Sequence, residues 1–367
     1  MTALTPVQAA RAADRARRFR DPARLLRLAC VIAAAMVPLV APSFQVLDLA
    51  AKIAIFAALA ASFDVVLGYT GIVSFGHAMF FGFGAYGVAL AVGKLGAPTY
   101  GHLLLGFAIG IALSAVISVA IGAFSLRVKA IFFAMVTLAF AEFALILAVQ
   151  WSALSGGEDG LSPRLPGMFA VAYDAGRWLG VPLTGRLATY YTVLVVVVAL
   201  FWIMARFIAS PVGRTLQAIR DNDVRAEALG FRTFVFQMLA SAFGSVVASV
   251  LGGCYAMWVR FVNPESVLGI PVMLDVLLMV IIGGIGTLYG GIIGAAVLLT
   301  AQTLLPNLRS VAASVFAGSE LMQRLTGRWL LYFGVLFILV VFFFPRGVIG
   351  TLREKMAAAG RTTPTLR

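Results

Sequence analysis

The chain has 367 residues, 62% of them hydrophobic and only 12% charged, with a mean hydropathy of +1.00. Soluble domains carry about a quarter charged residues, so this composition excludes an ordinary soluble protein and points to apolar runs that cross a bilayer. The net charge of +13 is read as orientation by lysine and arginine at one membrane face, not as nucleic-acid binding.

In chain order, residues 1–27 form a basic arm with Arg11, Arg15, Arg17, Arg18, Arg20, Arg24 and Arg27. A first span is expected from Leu28 to Leu47; its apolar core is too long for a cleavable signal. Pro38 and Pro42 lie toward its far end, where a kink costs least. Leu47 to Gly93 is too long for one helix and short for two, with a glycine cluster at its middle, so two short spans around a break are expected. Leu103 to Leu126 and Ile131 to Val149 are single spans, joined through Arg127 and Lys129. A connection over 151–186 with Glu158 and Asp159 follows, then a span from Ala188 to Ala205. The loop 206–232 carries Arg206, Arg214, Arg220, Arg225 and Arg232, and Thr233 to Val259 crosses next. Ile270 to Leu305 repeats the glycine-interrupted hairpin, and Trp329 to Phe344 closes the set before Pro345. Cys30 and Cys254 sit in apolar runs and offer neither a disulfide framework nor a metal site.

Placing the arm, the 206–232 loop and the cluster Arg346, Arg353 and Lys355 on the cytoplasmic side requires an even number of crossings. The expectation is an all-α polytopic membrane protein of about ten transmembrane helices with glycine-rich short or broken spans. Both termini are then cytoplasmic. Residues 28–350 form the membrane domain, the 151–186 connection lies outside, and 351–367 is a cytoplasmic tail. Glycine breaks at bilayer depth let backbone line a protein-enclosed path, which makes transport the first functional reading.

The 206–232 loop has helical signals. Ser210 caps, Pro211 fits the first helical position, and Val212, Leu216 and Ile219 form an apolar stripe. A second short helix is expected over Val224 to Leu229, capped by Asp223 and ended by Gly230. The mixed charges of this loop suit docking to a protein better than binding to anionic lipid; a solvated connector is the alternative. Among intramembrane ionisable groups, Asp64 is read as holding the glycine break in place. His77 and Glu142 are read either as packed, hydrogen-bonded residues or as lining a solute path, and Asp48 with Lys52 as a helix-surface pair.

Four segments carry a family resemblance. Gly68-Tyr69-Thr70-Gly71-Ile72-Val73-Ser74-Phe75-Gly76-His77-Ala78 resembles the glycine-rich signature of branched-chain amino-acid importer permeases of the LivM type. Ser210-Pro211-Val212-Gly213-Arg214 followed by Ala218-Ile219-Arg220 is similar to the family's cytoplasmic loop. Gly283-Gly284-Ile285-Gly286-Thr287-Leu288-Tyr289-Gly290-Gly291 and Pro345-Arg346-Gly347 resemble its later signatures. Glu227-Ala228-Leu229-Gly230 looks like a divergent Glu-Ala-Ala…Gly loop, the ATPase contact of such permeases. Leu229 departs from that pattern, so the contact does not carry over in detail.

The resemblance implies a subunit of an ATP-binding-cassette importer in a bacterial inner membrane. Its partners would be a second permease of the LivH type, two ATPases and an extracytoplasmic solute-binding protein. ATP and magnesium would be held by the ATPase subunits. This agrees with the chain's lack of a Gly-x-x-x-x-Gly-Lys-Ser/Thr loop, since Gly93-Lys94 is followed by Leu95. The coupling residues would be Pro211, Gly213, Arg214, Arg220, Glu227, Ala228 and Gly230. The path or hinge residues would be Gly68, Tyr69, Gly71, Ser74, Gly76, His77, Glu142, Gly283, Gly284 and Gly286. No catalytic, cofactor or metal residue is assigned. The rival readings are an ion-coupled secondary transporter of a small polar solute, whose repeats also carry broken helices, and a membrane-embedded enzyme. With His77 and His102 its two histidines and no HExxH, metal hydrolysis is disfavoured.

Overall fold

The computed structural model describes residues 22–40, 43–126, 130–170, 172–178, 181–315, 329–344, 347–348 and 350–351. Most of the basic arm, Arg127, Lys129, Arg346, Arg353 and Lys355 lie outside the described residues. Helices α1 (Pro22–Val40), α2 (Phe44–Leu67), α3 (His77–Lys94), α4 (Tyr100–Ser125) and α5 (Ala130–Gln150) come first. An antiparallel hairpin, β1 (Asp174–Trp178) and β2 (Val181–Thr184), precedes α6 (Gly185–Ala209). Then follow α7 (Pro211–Asp221), α8 (Asp223–Ala228), α9 (Thr233–Val259), α10 (Pro264–Leu268), α11 (Ile270–Gly283), α12 (Gly290–Val315) and α13 (Trp329–Phe343).

Among the described residues, six stretches are long and apolar enough to cross a membrane: α2, α4, most of α5, α6, α9 and the Pro264–Gly283 pair α10–α11. Val31–Val40 and Gly290–Pro306 are shorter apolar helical segments. The chain is therefore a polytopic membrane protein, helical throughout its spans. The β1–β2 hairpin departs from the all-α expectation and lies in the 151–186 connection, where backbone groups are free to pair across a turn. The first expected span also shifts. The helix begun at Pro22 ends at Val40, and Phe44 to Leu47 open α2 instead. The division falls around Pro42, which lies outside the described residues and which by its sequence is a helix-breaking residue.

Lipid provides no hydrophobic drive between helices, so close backbone approach and interhelical hydrogen bonds hold the bundle. Glycines make that approach between α3, α4 and α9. Added methyl groups would run into the Ser249 backbone at Gly84, into Gly106 and Gly110 at Gly87, and into the Phe81 backbone at Gly252. Ser118 and Ser241 hydroxyls meet at 3.3 Å across α4 and α9. Tyr190 donates to the Ala34 carbonyl at 2.6 Å and Tyr191 to Ala35 at 3.2 Å, tying α6 to α1. Helix α2 runs through the centre, with Ile55, Leu59 and Phe63 fully buried.

These contacts define two poles. At one, the Arg186 guanidinium lies 4.1 Å from the centre of the Phe44 ring, Trp258 Nε1 donates to Asp48 Oδ1 at 2.9 Å, and Lys52 pairs with Asp48 at 2.8 Å. Arg260 closes α9 in the left-handed conformation (φ 58°) and donates to the Phe169 carbonyl at 2.7 Å. Burial and the neighbouring Arg186 guanidinium lower its pKa from the ordinary arginine value. At the opposite pole α2 ends, α11 ends, α12 begins, and α6 turns through α7 and α8 into α9.

Candidate functional site

That second pole holds the resemblance-bearing segments together. The first break begins where α2 stops at Leu67. The amides of Gly68 and Tyr69 both turn back to the Asp64 carbonyl, at 2.6 and 3.1 Å, and Thr70 Oγ1 donates to Val65 O at 3.0 Å. The chain then runs irregularly to His77, where α3 begins. The Phe75 amide donates to Thr137 Oγ1 on α5 at 3.0 Å, and the Gly76 amide to Ser74 Oγ at 3.3 Å. A non-helical segment among apolar helices is viable only if its backbone groups find protein partners, and these side chains supply them.

The second break separates α11 from α12. Gly286 has φ +79°, a conformation that disfavours any residue with a Cβ. Its amide donates to Asp64 Oδ1 at 2.8 Å, so the carboxylate on α2 binds the other break's backbone. The Leu288 amide donates to Tyr69 Oη at 3.3 Å. At Gly68 a methyl group would overlap both Asp64 Oδ1 and the Gly286 nitrogen, so the two breaks are in direct van der Waals contact. A methyl on Gly347, from the last signature segment, would overlap the Gly284 backbone, and one on Gly283 would overlap Gly290.

The loop reaches the same place. Ser210 caps α7, accepting the Gly213 amide at 3.2 Å with Pro211 in the first turn. Gly213 allows α7 to fold back against the Phe207 and Ile208 carbonyls. Leu216 and Ile219 are buried and Val212 is half-buried, so the predicted stripe faces the bundle. Arg220 then projects into the junction, and its Nη1 donates to the Gly68 carbonyl. Helix α8 follows, capped by Asn222, whose Oδ1 accepts the Arg225 amide at 2.8 Å. Asn222 therefore replaces Asp223 as the cap, because its backbone is extended while Asp223 is already helical. Gly230 (φ +89°) ends the turn as expected. Glu227 accepts from Thr233 Oγ1 at 2.6 Å, tying α8 to the start of α9. Val224 and Leu229 are each 73% exposed at the loop's tip, and Arg214 and Ala228 are exposed with them.

The predicted residues therefore fall into three groups. Gly68, Gly71 and Gly286 meet Arg220 at the junction, Gly71 with Arg220 Cγ 3.3 Å from an added methyl, while Tyr69 reaches Leu288, Gly283 packs on Gly290 and Gly284 on Gly347 beside them. Pro211, Gly213, Arg214, Glu227, Ala228 and Gly230 shape the adjoining loop. Ser74, Gly76 and His77 lie further along the first break, and His77 is buried, its Nε2 2.8 Å from Ser62 Oγ on α2. Ser62 donates to Leu59 O at 2.8 Å, so its oxygen accepts from His77 Nε2–H. Glu142 stands apart on α5 with Oε1 buried and without a hydrogen-bond partner among the described residues. Residues that the pattern reading passed over are Ser62 and Thr137. A serine or threonine inside a helix gives no signal of the distant backbone or ring it will bond. The described residues include no group of His, Cys, Asp or Glu arranged to hold a metal ion.

The family described as "Branched-chain amino acid transport system / permease component" matches residues 45–344. The high-affinity branched-chain amino acid transport system permease protein LivM of Salmonella typhimurium is 26% identical over 327 residues, 84% of this chain and 71% of that protein. Its namesake in Escherichia coli is 25% identical over the same shares. A probable branched-chain amino acid transport permease protein LivM of Methanocaldococcus jannaschii is 22% identical over 78% of this chain and 88% of its own length.

Proposed function

Because the chain belongs to the branched-chain amino acid transport permease family, we propose that it carries leucine, isoleucine, valine or a related amino acid inward, driven by ATPase subunits that dock on the α7–α8 loop. As a permease component of a branched-chain amino acid ABC transport system it is a transport subunit and not an enzyme, and it works with an ATPase and other transporter components. The ion-coupled carrier reading gives way, since such a permease takes its energy from a partner's ATP.

The finer architecture proposed is ten crossings: α1 to α6, α9, α10–α11, α12 and α13, with the loop pole cytoplasmic and the β1–β2 pole outside. Both termini are then inside a bacterial inner membrane. Residues 1–27 serve as the arm, 28–350 as the permease domain and 351–367 as the tail. Two ATPases, holding ATP and magnesium, a LivH-type second permease and an extracytoplasmic solute-binding protein complete the assembly. The observation that carries this reading is the convergence of the loop and both glycine breaks, with Arg220 bonded to Gly68. ATPase closure would push α7, and a packed junction of this kind transmits such a push as a rigid-body change of the spans. The glycine segments serve as hinges at this junction, and Glu142, whose buried Oε1 has no hydrogen-bond partner among the described residues, is the candidate for the solute path.

The docking surface provides the test. Val224→Asp combined with Leu229→Asp, at side chains that touch little of the bundle, should reduce co-purification of the ATPase subunits about ten-fold or more while leaving the permease folded. Undiminished retention of the ATPase would overturn the docking assignment.

A further inference from the structure

Asp64 is a carboxylate in the interior of a membrane protein, 1% exposed; its Oδ1 accepts the Gly286 amide of the other break, with the Thr287 amide and the Arg220 guanidinium close by. Among the described residues its second oxygen is buried without a hydrogen-bond partner. Ionisable groups at this depth are costly, and packing alone would be served as well by an apolar side chain of the same size. The geometry gives the carboxylate a mechanical use. Arg220 holds the Gly68 carbonyl from the loop side, while Asp64, one turn before Gly68, holds the Gly286 amide from the bundle side. Gly68 fills the space between them with no room for a methyl group. Loop, first break and second break are thereby linked by hydrogen bonds through two side chains; Arg220 also lies against Gly286, with Nη1 3.1 Å from an added methyl, and Tyr69 with Leu288 makes a parallel strap.

We propose that Asp64 is a positioning residue that clamps the two glycine breaks together, so that displacement of α7 by the ATPase moves both hinges as one. This rests on the permease reading above and adds the element that couples the hinges. With the clamp cut, the first break stays hydrogen-bonded to Arg220, while the second keeps only its packing on Arg220 and the Tyr69–Leu288 strap and lags. The complex then hydrolyses ATP with less solute moved per cycle. Coupling between sites of this kind is typically worth about five-fold or more.

The test uses the complete transporter in lipid vesicles, with radiolabelled leucine as probe and two readouts: leucine moved per ATP hydrolysed, and the effect of ATP on maleimide labelling of an Ile285→Cys variant. Ile285 is half exposed in the second break. Asp64→Ala should lower the transport ratio about five-fold or more and remove the ATP effect on labelling. Asp64→Asn, which retains an acceptor for the Gly286 amide, should restore most of both without the charge, whereas Asp64→Leu, of similar bulk but with no acceptor, should behave as Asp64→Ala does. Arg220→Gln, at an exposed side chain, should blunt the same two readouts without a folding defect. Equal ratios and an unchanged labelling response in Asp64→Ala would overturn the clamp, as would an Asp64→Asn variant as impaired as Asp64→Ala. An unmodified complex that moves no leucine but shows ATP-dependent labelling abolished by Asp64→Ala would refute the solute assignment while supporting the clamp.

Discussion

Ser62→Ala tests what His77 does. The substitution leaves His77 Nε2–H facing the space where Ser62 Oγ accepted it at 2.8 Å. Neither residue is reached by solvent, with Ser62 at 0% and His77 at 2% exposure, so water does not replace the lost partner. Interhelical hydrogen bonds in membranes average about 0.6 kcal/mol and reach about 1.7. A buried donor left unpaired costs about 1–3 kcal/mol. The complete burial puts this pair toward the overlap of those ranges, so Ser62→Ala should destabilise by about 1–2 kcal/mol. His77→Phe keeps a ring of similar size beside Phe63, whose centroid is 5.4 Å away, and leaves Ser62 its bond to Leu59 O. With both partners apolar, the double variant should be nearly as stable as the parent, giving a coupling of about 1 kcal/mol. Reversible unfolding in mixed micelles of the parent, the two single variants and the double variant measures this directly. Additive losses would refute the reasoning, and so would a Ser62→Ala variant as stable as the parent. In the same framework His77→Gln, which retains a donor, should leave leucine uptake unchanged. A loss of uptake at undiminished stability would instead put His77 in the solute path.

Two further contrasts check the packing and the loop. Gly84→Ala drives a methyl group into the Ser249 backbone, whereas Gly93 faces open space. The first should cost about 1–3 kcal/mol, and Gly93→Ala should be neutral or stabilising by up to about 1 kcal/mol, read from the same unfolding curves. At the loop, Asn222→Ala should weaken α8 by about 1 kcal/mol and speed hydrogen exchange of the Arg225 amide, while Asp223→Ala should change it little. Equal effects would return the cap to Asp223.

The membrane class and the division of both glycine-rich regions into helix pairs were legible in the sequence. Each follows from a local quantity: the length of a charge-free run, or glycine where a helix must stop. The α7 cap and stripe were legible for the same reason, since Ser210, Pro211, Leu216 and Ile219 act within about three turns of one another. The Asn222 cap was misread by one residue because Asn and Asp are nearly equivalent as caps, and only the extended backbone at Asn222 decides between them. The 174–184 hairpin carried no comparable signal among its glycine, proline and short apolar stretches.

Composition and periodicity, acting over a few helical turns, are enough to make this chain a multi-spanning helical protein with two interrupted regions and a basic, partly helical loop. They do not say that the interruptions touch. That is decided by the tertiary structure, because the bond from Asp64 to Gly286 spans 222 positions and that from Arg220 to Gly68 spans 152. A backbone amide or carbonyl looks the same at every residue, so no side-chain pattern announces which one a distant carboxylate or guanidinium will hold. The glycines are visible as places where a helix is allowed to break. Only the packing of α2, α7, α11 and α12 makes them one junction.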